Sequence, residues 1–219
     1  MKVTKDYMEW YVLLRLIHCY DKKLRPMMDG KSENPDCQSE SLDIGLEITE
    51  ALELDDGRIR HVINQYFGQG LDGQMIKDQV EKKYPEYSHL VDVVENTACF
   101  SLSGDMLPKI ERMIISFVRK TKTLNGHYKR FGQNWLYVFA SELFMNFDLP
   151  KVYQAYQKRT AQYPIQFDKV FINAYDRIFV LGPDGLNEEI PISENCLKQL
   201  KKEAMLCACG NSKALKQKM

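Results

Sequence analysis

Two acidic residues, Asp36 and Glu47, are spaced so that a β-hairpin would bring them face to face. Residues 42–49 alternate strictly between apolar and other side chains, which predicts a half-buried strand with Glu47 and Thr49 on its polar face. The polar residues just before this strand predict a tight reversal, so the preceding segment would return as its antiparallel neighbour. If the turn is centred between residues 41 and 42, Asp36 lies directly opposite Glu47.

Carboxylates paired across two strands in this way have Cβ atoms about 4.5–5.5 Å apart. At that distance the two negative charges repel each other unless a positive charge lies between them. In proteins, this positive charge is usually supplied by a divalent cation that prefers oxygen ligands. The pair therefore predicts a site for a hard divalent cation.

The remaining periodicity predicts helices and strands around this hairpin. A first helix begins near Thr4 and ends before Pro26. Residues 74–105 are amphipathic and predict helical structure that is broken at Pro85 and Gly104. The rest of the core is predicted as a helix, a strand, a helix and two strands, at residues 109–124, 135–140, 149–159, 167–173 and 177–181.

The composition is typical of a folded domain. The 219 residues are 44% hydrophobic and carry 30 basic and 30 acidic side chains, so the total charge does not favour a strongly basic nucleic-acid binder. Six scattered cysteines predict free thiols, because the chain is too long for a disulfide scaffold. The apolar run at residues 10–19 is interrupted by Arg15 and is shorter than the ~20 residues that span a bilayer. We therefore expect a soluble, cytoplasmic protein without membrane association.

The motif Pro35-Asp36, then ten residues, then Glu47-x-Thr49 at the end of an apolar strand resembles that of the PD-(D/E)XK nuclease superfamily. The order helix, hairpin, helix, strand, helix, strand is similar to the core of that superfamily. The resemblance implies an α/β, restriction-endonuclease-like core, in which helices flank a central mixed sheet.

The same resemblance implies a domain organisation. Residues 1–192 would form a single nuclease-like domain with a helical insertion at about 53–107. Beyond the range of the resemblance, the lysine-rich sequence of residues 193–219 predicts a basic C-terminal helix and tail.

The resemblance also implies roles for individual residues. Asp36 and Glu47 would hold Mg²⁺ or Mn²⁺, with the backbone carbonyl of Ile48 as the third protein ligand. Glu9 in the first helix would lean towards the metal site, as a first-helix Glu often does in the superfamily. The alternative for Glu9 is an exposed acid that interacts favourably with the helix N-terminus.

Thr49 departs from the superfamily, in which this position is usually a Lys that polarises the attacking water and balances charge in the transition state. A threonine can hydrogen-bond to a water but brings no positive charge. Three outcomes stay open: a lysine from elsewhere reaches the site, a second metal ion replaces it, or the site is catalytically inactive. The best-placed lysines are Lys120 and Lys122 on the helix at 109–124, with Lys31 a distant third.

A basic run with interspersed aromatic residues crosses the end of the same helix. It predicts a phosphate-contacting surface made of Arg119, Lys120, Lys122, Lys129 and Arg130. The alternative is a solvated helix face whose basic end interacts with the helix dipole.

Two functional hypotheses follow. The first is a magnesium-dependent endonuclease that hydrolyses phosphodiesters in DNA, with a homodimer as the arrangement that many superfamily members use. The second is a catalytically inactive nuclease-fold protein that binds nucleic acid or another protein. A third interpretation, independent of the resemblance, makes Asp36 and Glu47 ordinary acids on the wet face of a hairpin.

Overall fold

The computed structural model describes residues 2–30, 35–50, 71–85, 88, 91–94, 97–100, 106–140, 149–174 and 176–211. The elements in chain order are α1 (Lys2–Cys19), a 3-10 helix (Lys22–Asp29), β1 (Cys37–Ser39), β2 (Ile44–Glu50), α2 (Gly73–Lys83), β3 (Val91–Val94), β4 (Thr97–Phe100), α3 (Met106–Gly126), β5 (Gln133–Ala140), α4 (Leu149–Thr160), β6 (Lys169–Ala174), β7 (Arg177–Gly182), β8 (Gly185–Pro191), α5 (Glu194–Leu206) and a short π-helix (Cys207–Asn211).

The chain divides into two units, of which the second comprises residues 52–112. The predicted insertion at 53–107 falls within this unit, and its residues 53–70 lie outside the described part of the chain. The expected helix over 74–105 is wrong in its second half. The helix α2 ends before Pro85, and the β-branched residues that follow form the antiparallel hairpin β3–β4 instead.

The first unit, residues 1–51 and 113–219, contains a six-stranded mixed sheet with helices packed against it. The strand order is β1-β2-β5-β6-β7-β8. Neighbouring strands are parallel from β2 to β6 and antiparallel at both edges. The coarse α/β class predicted from the sequence is confirmed. The strand β8 was not predicted, because its Gly, Asn and Glu residues have low β-propensity and are largely exposed.

The register of the β1–β2 hairpin is the one expected from the turn position. Cys37 pairs with Leu46, which places Asp36 opposite Glu47. Asp43 lies in the turn with a φ of 53°, in the left-handed region that Asp tolerates better than most residues.

The expectation of a half-buried strand is wrong. The side chain of Glu47 is only 3% exposed, and Gly45 and Thr49 on the same face are also buried. The physical reason is that β2 is an internal strand between β1 and β5 and is covered on both faces.

The face of β2 that carries Glu47 is covered by α3. The connections β2–α3–β5 and β5–α4–β6 run in the same direction across the sheet, so two right-handed crossovers put both helices on one face. The rings of Phe117 in α3 and Tyr156 in α4 meet edge to face, 5.5 Å apart. The hydroxyls of Thr121 and Tyr156 lie 3.1 Å apart and are hydrogen-bonded.

The opposite face of the sheet packs against α1 and α5. Their buried residues form one core cluster with the apolar side chains of β2, β5, β6 and β7. The expected C-terminal helix is therefore present as α5, and Leu197, Leu200 and Ala204 bury it in the core of the first unit. The expected tail at 212–219 lies outside the described residues. Of the helices that the structure describes, none combines the length and apolar character needed to cross a lipid bilayer.

Candidate functional site

A lysine from α3 contacts the buried carboxylate of β2. The ammonium of Lys120 donates a hydrogen bond to Oε1 of Glu47, across 73 residues of sequence. The side chain of Lys120 is 19% exposed, so this ion pair is largely shielded from water. The structure thus brings together the predicted acid and one of the two lysines predicted to reach it.

Lys120 reaches Glu47 because it belongs to the buried face of α3. Phe117, Thr121 and Leu124 are buried at the three- and four-residue spacing of one helix face, and Lys120 lies among them. Lys122 is exposed and lies about 200° further around the helix axis, on the other side of α3. Of the two predicted lysines, only Lys120 contacts Glu47. Lys31 lies outside the described residues.

Hydrogen bonds near the end of α3 fix its position over the sheet. The side-chain amide of Asn125 donates to the carbonyl of Ile165 at 2.7 Å, and the amide of Ile165 donates back to Oδ1 of Asn125 at 3.1 Å. Together with the pair between Thr121 and Tyr156, these bonds hold the helix that carries Lys120. The helix that positions the ammonium of Lys120 is therefore itself fixed by hydrogen bonds.

A second cation from α3 lies next to Thr49. Nη2 of Arg119 donates to Oγ1 of Thr49 at 3.4 Å, a long hydrogen bond. Thr49 is buried, whereas Arg119 is exposed. Glu47 and Thr49 of the Glu-x-Thr motif are thus each contacted by a positively charged side chain from the same turn of α3.

The second predicted acid, Asp36, directly precedes β1 and is tied to β2 by a hydrogen bond. The side chain is buried, and Oδ2 accepts a hydrogen bond of 2.8 Å from the backbone amide of Ile48. This bond ties the end of β1 to β2, one residue after Glu47. Asp36 and Glu47 therefore occupy the facing positions that the hairpin register predicts.

Tyr128 borders the same cleft. Burial raises the pKa of its hydroxyl, and the carboxylates of Glu47 and Asp36 raise it further, while Arg119 opposes them. A raised pKa keeps the phenol protonated at neutral pH, so that it can donate a hydrogen bond. The cleft between Tyr128 and Glu47 is also lined by Lys129 and Asn134.

The loop from α3 to β5 is shaped by Asn134. Its side-chain amide donates to the carbonyl of Phe131 at 2.9 Å, and its Oδ1 accepts from the Phe131 amide at 3.3 Å. The backbone amide of Asn134 donates to Oδ2 of Asp168 at 2.7 Å. This network fixes the end of the loop that contains Tyr128.

Asp36 and Glu47 are the candidate ligands for a hard divalent cation. Oε2 of Glu47 is buried and accepts no hydrogen bond of normal geometry from any described residue, although the hydroxyl of Tyr128 lies close enough to this carboxylate to hydrogen-bond to it. A buried acceptor without a donor is costly, which favours a positively charged ligand there. Mg²⁺ is usually held by one or two carboxylates together with waters and substrate oxygens. Asp36 and Glu47 would supply the carboxylates of such a ligand set.

The structure does not add Glu9 to this pair. Among the described residues, no three His, Cys, Asp or Glu side chains converge so that they could hold a metal ion. Glu9 is buried within α1, which contradicts the alternative of an exposed acid at a helix end.

The other predicted phosphate-contacting residues are at the surface. Lys129 pairs with Glu40 of the hairpin, and its ammonium lies 5.2 Å from the centre of the Phe131 ring. Arg130 is exposed. Of these two residues Lys129 lines the cleft, whereas Lys120 contacts Glu47 directly.

Two features of the site were not singled out from the sequence. The contact of Arg119 with Thr49 was not predicted, although Arg119 was chosen as a phosphate ligand. Lys120 was not separated from Lys122, yet only Lys120 shares the spacing of the apolar residues of α3. That periodicity is the signal that would have distinguished the two lysines.

Comparison of the chain with models of protein families, with curated proteins and with solved structures found no match.

Proposed function

We propose that this chain is a metal-dependent endonuclease of the PD-(D/E)XK type, which hydrolyses phosphodiester bonds of DNA in the cytoplasm. The observation that carries the proposal is the ammonium of Lys120 beside Glu47, on a strand whose neighbour presents Asp36. It supplies from α3 the positive charge that Thr49 cannot supply, in a site with two facing carboxylates.

The order of elements supports a restriction-endonuclease-like core. α1 precedes the hairpin β1–β2, and α3 leads from β2 to its parallel neighbour β5. The acid pair then lies on adjoining strands beneath the helix that follows them. This is the arrangement that the resemblance of the sequence implies.

Mg²⁺ or Mn²⁺ would be held by the carboxylates of Asp36 and Glu47 and by the carbonyl of Ile48. The amide of Ile48 points towards Asp36, and the carbonyl of a strand residue points to the same side as its amide. When bound, such an ion neutralises phosphate charge and activates water at neutral pH.

The side chains of α3 would act on the phosphate. Lys120 is placed to balance the charge that develops on the phosphoryl oxygens. Arg119 offers a guanidinium fork for a second phosphate oxygen. Tyr128, kept protonated, is a neutral donor for an oxygen in the cleft.

DNA is the proposed substrate, and the exposed basic residues would hold its backbone. Lys122, Lys129 and Arg130 are exposed and close in sequence to the site helix and loop. Phosphate contacts of this kind position a duplex without reading its sequence. A homodimer, one site for each strand, is the proposed assembly.

The test is cleavage of supercoiled plasmid DNA with Mg²⁺ or Mn²⁺, in wild type and in Asp36→Asn, Glu47→Gln and Lys120→Met. We expect nicking by wild type that EDTA abolishes and that each variant lowers by at least about a hundredfold, the scale of losing one charge-stabilising group. Glu188→Gln, at an exposed acid of β8, is the control and should cleave like wild type. Metal-independent cleavage, or full activity in Glu47→Gln, would refute the proposal.

A second candidate is an inactive nuclease-fold protein that binds nucleic acid or another protein. Thr49 favours it, because the usual Lys is missing from the motif and Lys120 is already paired with Glu47. Binding of DNA without cleavage at any divalent cation would support this candidate over the enzyme.

A further inference from the structure

We infer that Lys120 is a built-in competitor of the divalent cation, which neutralises Glu47 in the cation-free protein and leaves it when the cation binds. The inference rests on the proposed function, since it concerns the same site. It goes further by assigning to Lys120 control over how tightly the site takes its metal ion.

The first step is the burial of the ion pair. The side chain of Glu47 is 3% exposed and that of Lys120 is 19% exposed. A carboxylate this deeply buried needs a positive partner in the folded protein, because an unpaired buried charge is strongly destabilising. Lys120 provides that partner through Oε1.

The second step is the conflict between two cations. An ammonium and a divalent ion repel each other strongly at contact distance in a site shielded from water. Glu47 can therefore exchange one for the other more easily than it can hold both. Its second oxygen, Oε2, is without a hydrogen bond from the described part of the chain and offers the first point of contact.

The third step is that Lys120, and not Glu47, is the mobile member of the ion pair. Lysine carries its charge on a flexible four-carbon stem, whereas Glu47 is fixed on an internal strand. Lys120 is the more exposed member of the pair, so its ammonium can withdraw towards solvent while α3 stays in place. The exchange needs the movement of one side chain.

Two consequences follow for the proposed enzyme. Free protein binds the cation weakly, because binding must first release Lys120 from Glu47. A phosphate that accepts the released ammonium favours the exchange, so cation and substrate binding strengthen each other.

The experiment measures the affinity for Mn²⁺ alone, from the electron paramagnetic resonance signal of the free ion. We expect Lys120→Met to bind Mn²⁺ roughly tenfold tighter than wild type, because the competitor is gone. Lys120→Gln is the second variant, since its amide can still donate to Glu47 but carries no charge; it should also bind more tightly. Lys151→Met removes the same charge from an exposed position of α4, outside the site, and should bind like wild type.

The outcomes separate this inference from the proposed function. If wild type binds Mn²⁺, Glu47→Gln does not, and both Lys120 variants bind no tighter than wild type, Lys120 is no competitor although the metal site is real. If neither wild type nor the Lys120 variants bind Mn²⁺, both proposals fail. If only the Lys120 variants bind it, the competitor is supported, and the metal-dependent enzyme is refuted only when wild type also fails to cleave plasmid DNA with Mn²⁺.

Discussion

Asp36 shows how one side chain serves both the architecture and the charge of the site. Its Oδ2 accepts the backbone hydrogen bond of Ile48, and its negative charge reaches Tyr128. Replacing Asp36 by alanine therefore changes the backbone support of β2 as well as any cation ligand. Asparagine keeps an acceptor oxygen of the same size and removes only the charge.

We predict that Asp36→Ala destabilises the metal-free protein by about 1–3 kcal/mol more than Asp36→Asn does. The alanine variant leaves the partly buried amide of Ile48 without an acceptor, and an unsatisfied donor shielded from water costs about that much. Urea unfolding in EDTA measures the difference. Equal stability of the two variants would show that the bond from Ile48 contributes nothing net.

At the level of elements, Gly45 governs how closely the hairpin approaches the loop before β5. A Cβ atom at Gly45 would lie 2.6 Å from Cδ2 of Phe131 and 3.0 Å from Cγ of Pro35. The backbone of Phe131 is held by its two hydrogen bonds with Asn134, and its ring is buried, which leaves the ring little space to rotate away. Glu47 lies two residues further along β2, on the same face.

We predict that Gly45→Ala lowers the free energy of unfolding by about 1–3 kcal/mol, the usual range for an overpacked core. Gly126→Ala is the matched control, because nothing lies within 4 Å of a Cβ atom there. Alanine has the higher helix propensity, so the control should be neutral or more stable by up to about 1 kcal/mol. Thermal unfolding of the two variants side by side measures both effects; a Gly45→Ala protein as stable as wild type would contradict the packing argument.

The sequence predicted those features that depend on neighbouring residues. The register of β1 and β2 follows from the polar residues of one short turn, and α3, β5, β6 and β7 follow from local periodicity. The burial of Glu47 could not be read from its strand, since the covering lysine comes 73 residues later. The hairpin of 91–94 with 97–100 is an exception: it pairs sequence neighbours and was still missed, because its valines were assigned to an amphipathic helix.

At the level of the whole molecule, α5 completes the core of the first unit. Its buried residues Leu197, Leu200 and Ala204 belong to the same cluster as the buried face of α1. Sequence reasoning set a domain boundary at residue 192, because the basic residues after it suggested a separate tail. The lysines of α5 lie on its exposed side, so their charge concealed an apolar face.

We predict that the chain does not fold cooperatively when it ends at Ile192. The cut removes two buried leucines, and replacing a buried leucine by alanine costs about 2–5 kcal/mol of stability. The total stability of a folded protein is only about 5–15 kcal/mol. Point variants in the full chain separate this effect from any other result of truncation. Leu200→Ala should destabilise by about 2–5 kcal/mol, and Lys202→Ala, at an exposed position of the same helix, by no more than about 0.5 kcal/mol. Circular dichroism during urea unfolding follows all three proteins, and a cooperative transition of the truncated chain at the urea midpoint of wild type would show that α5 is dispensable.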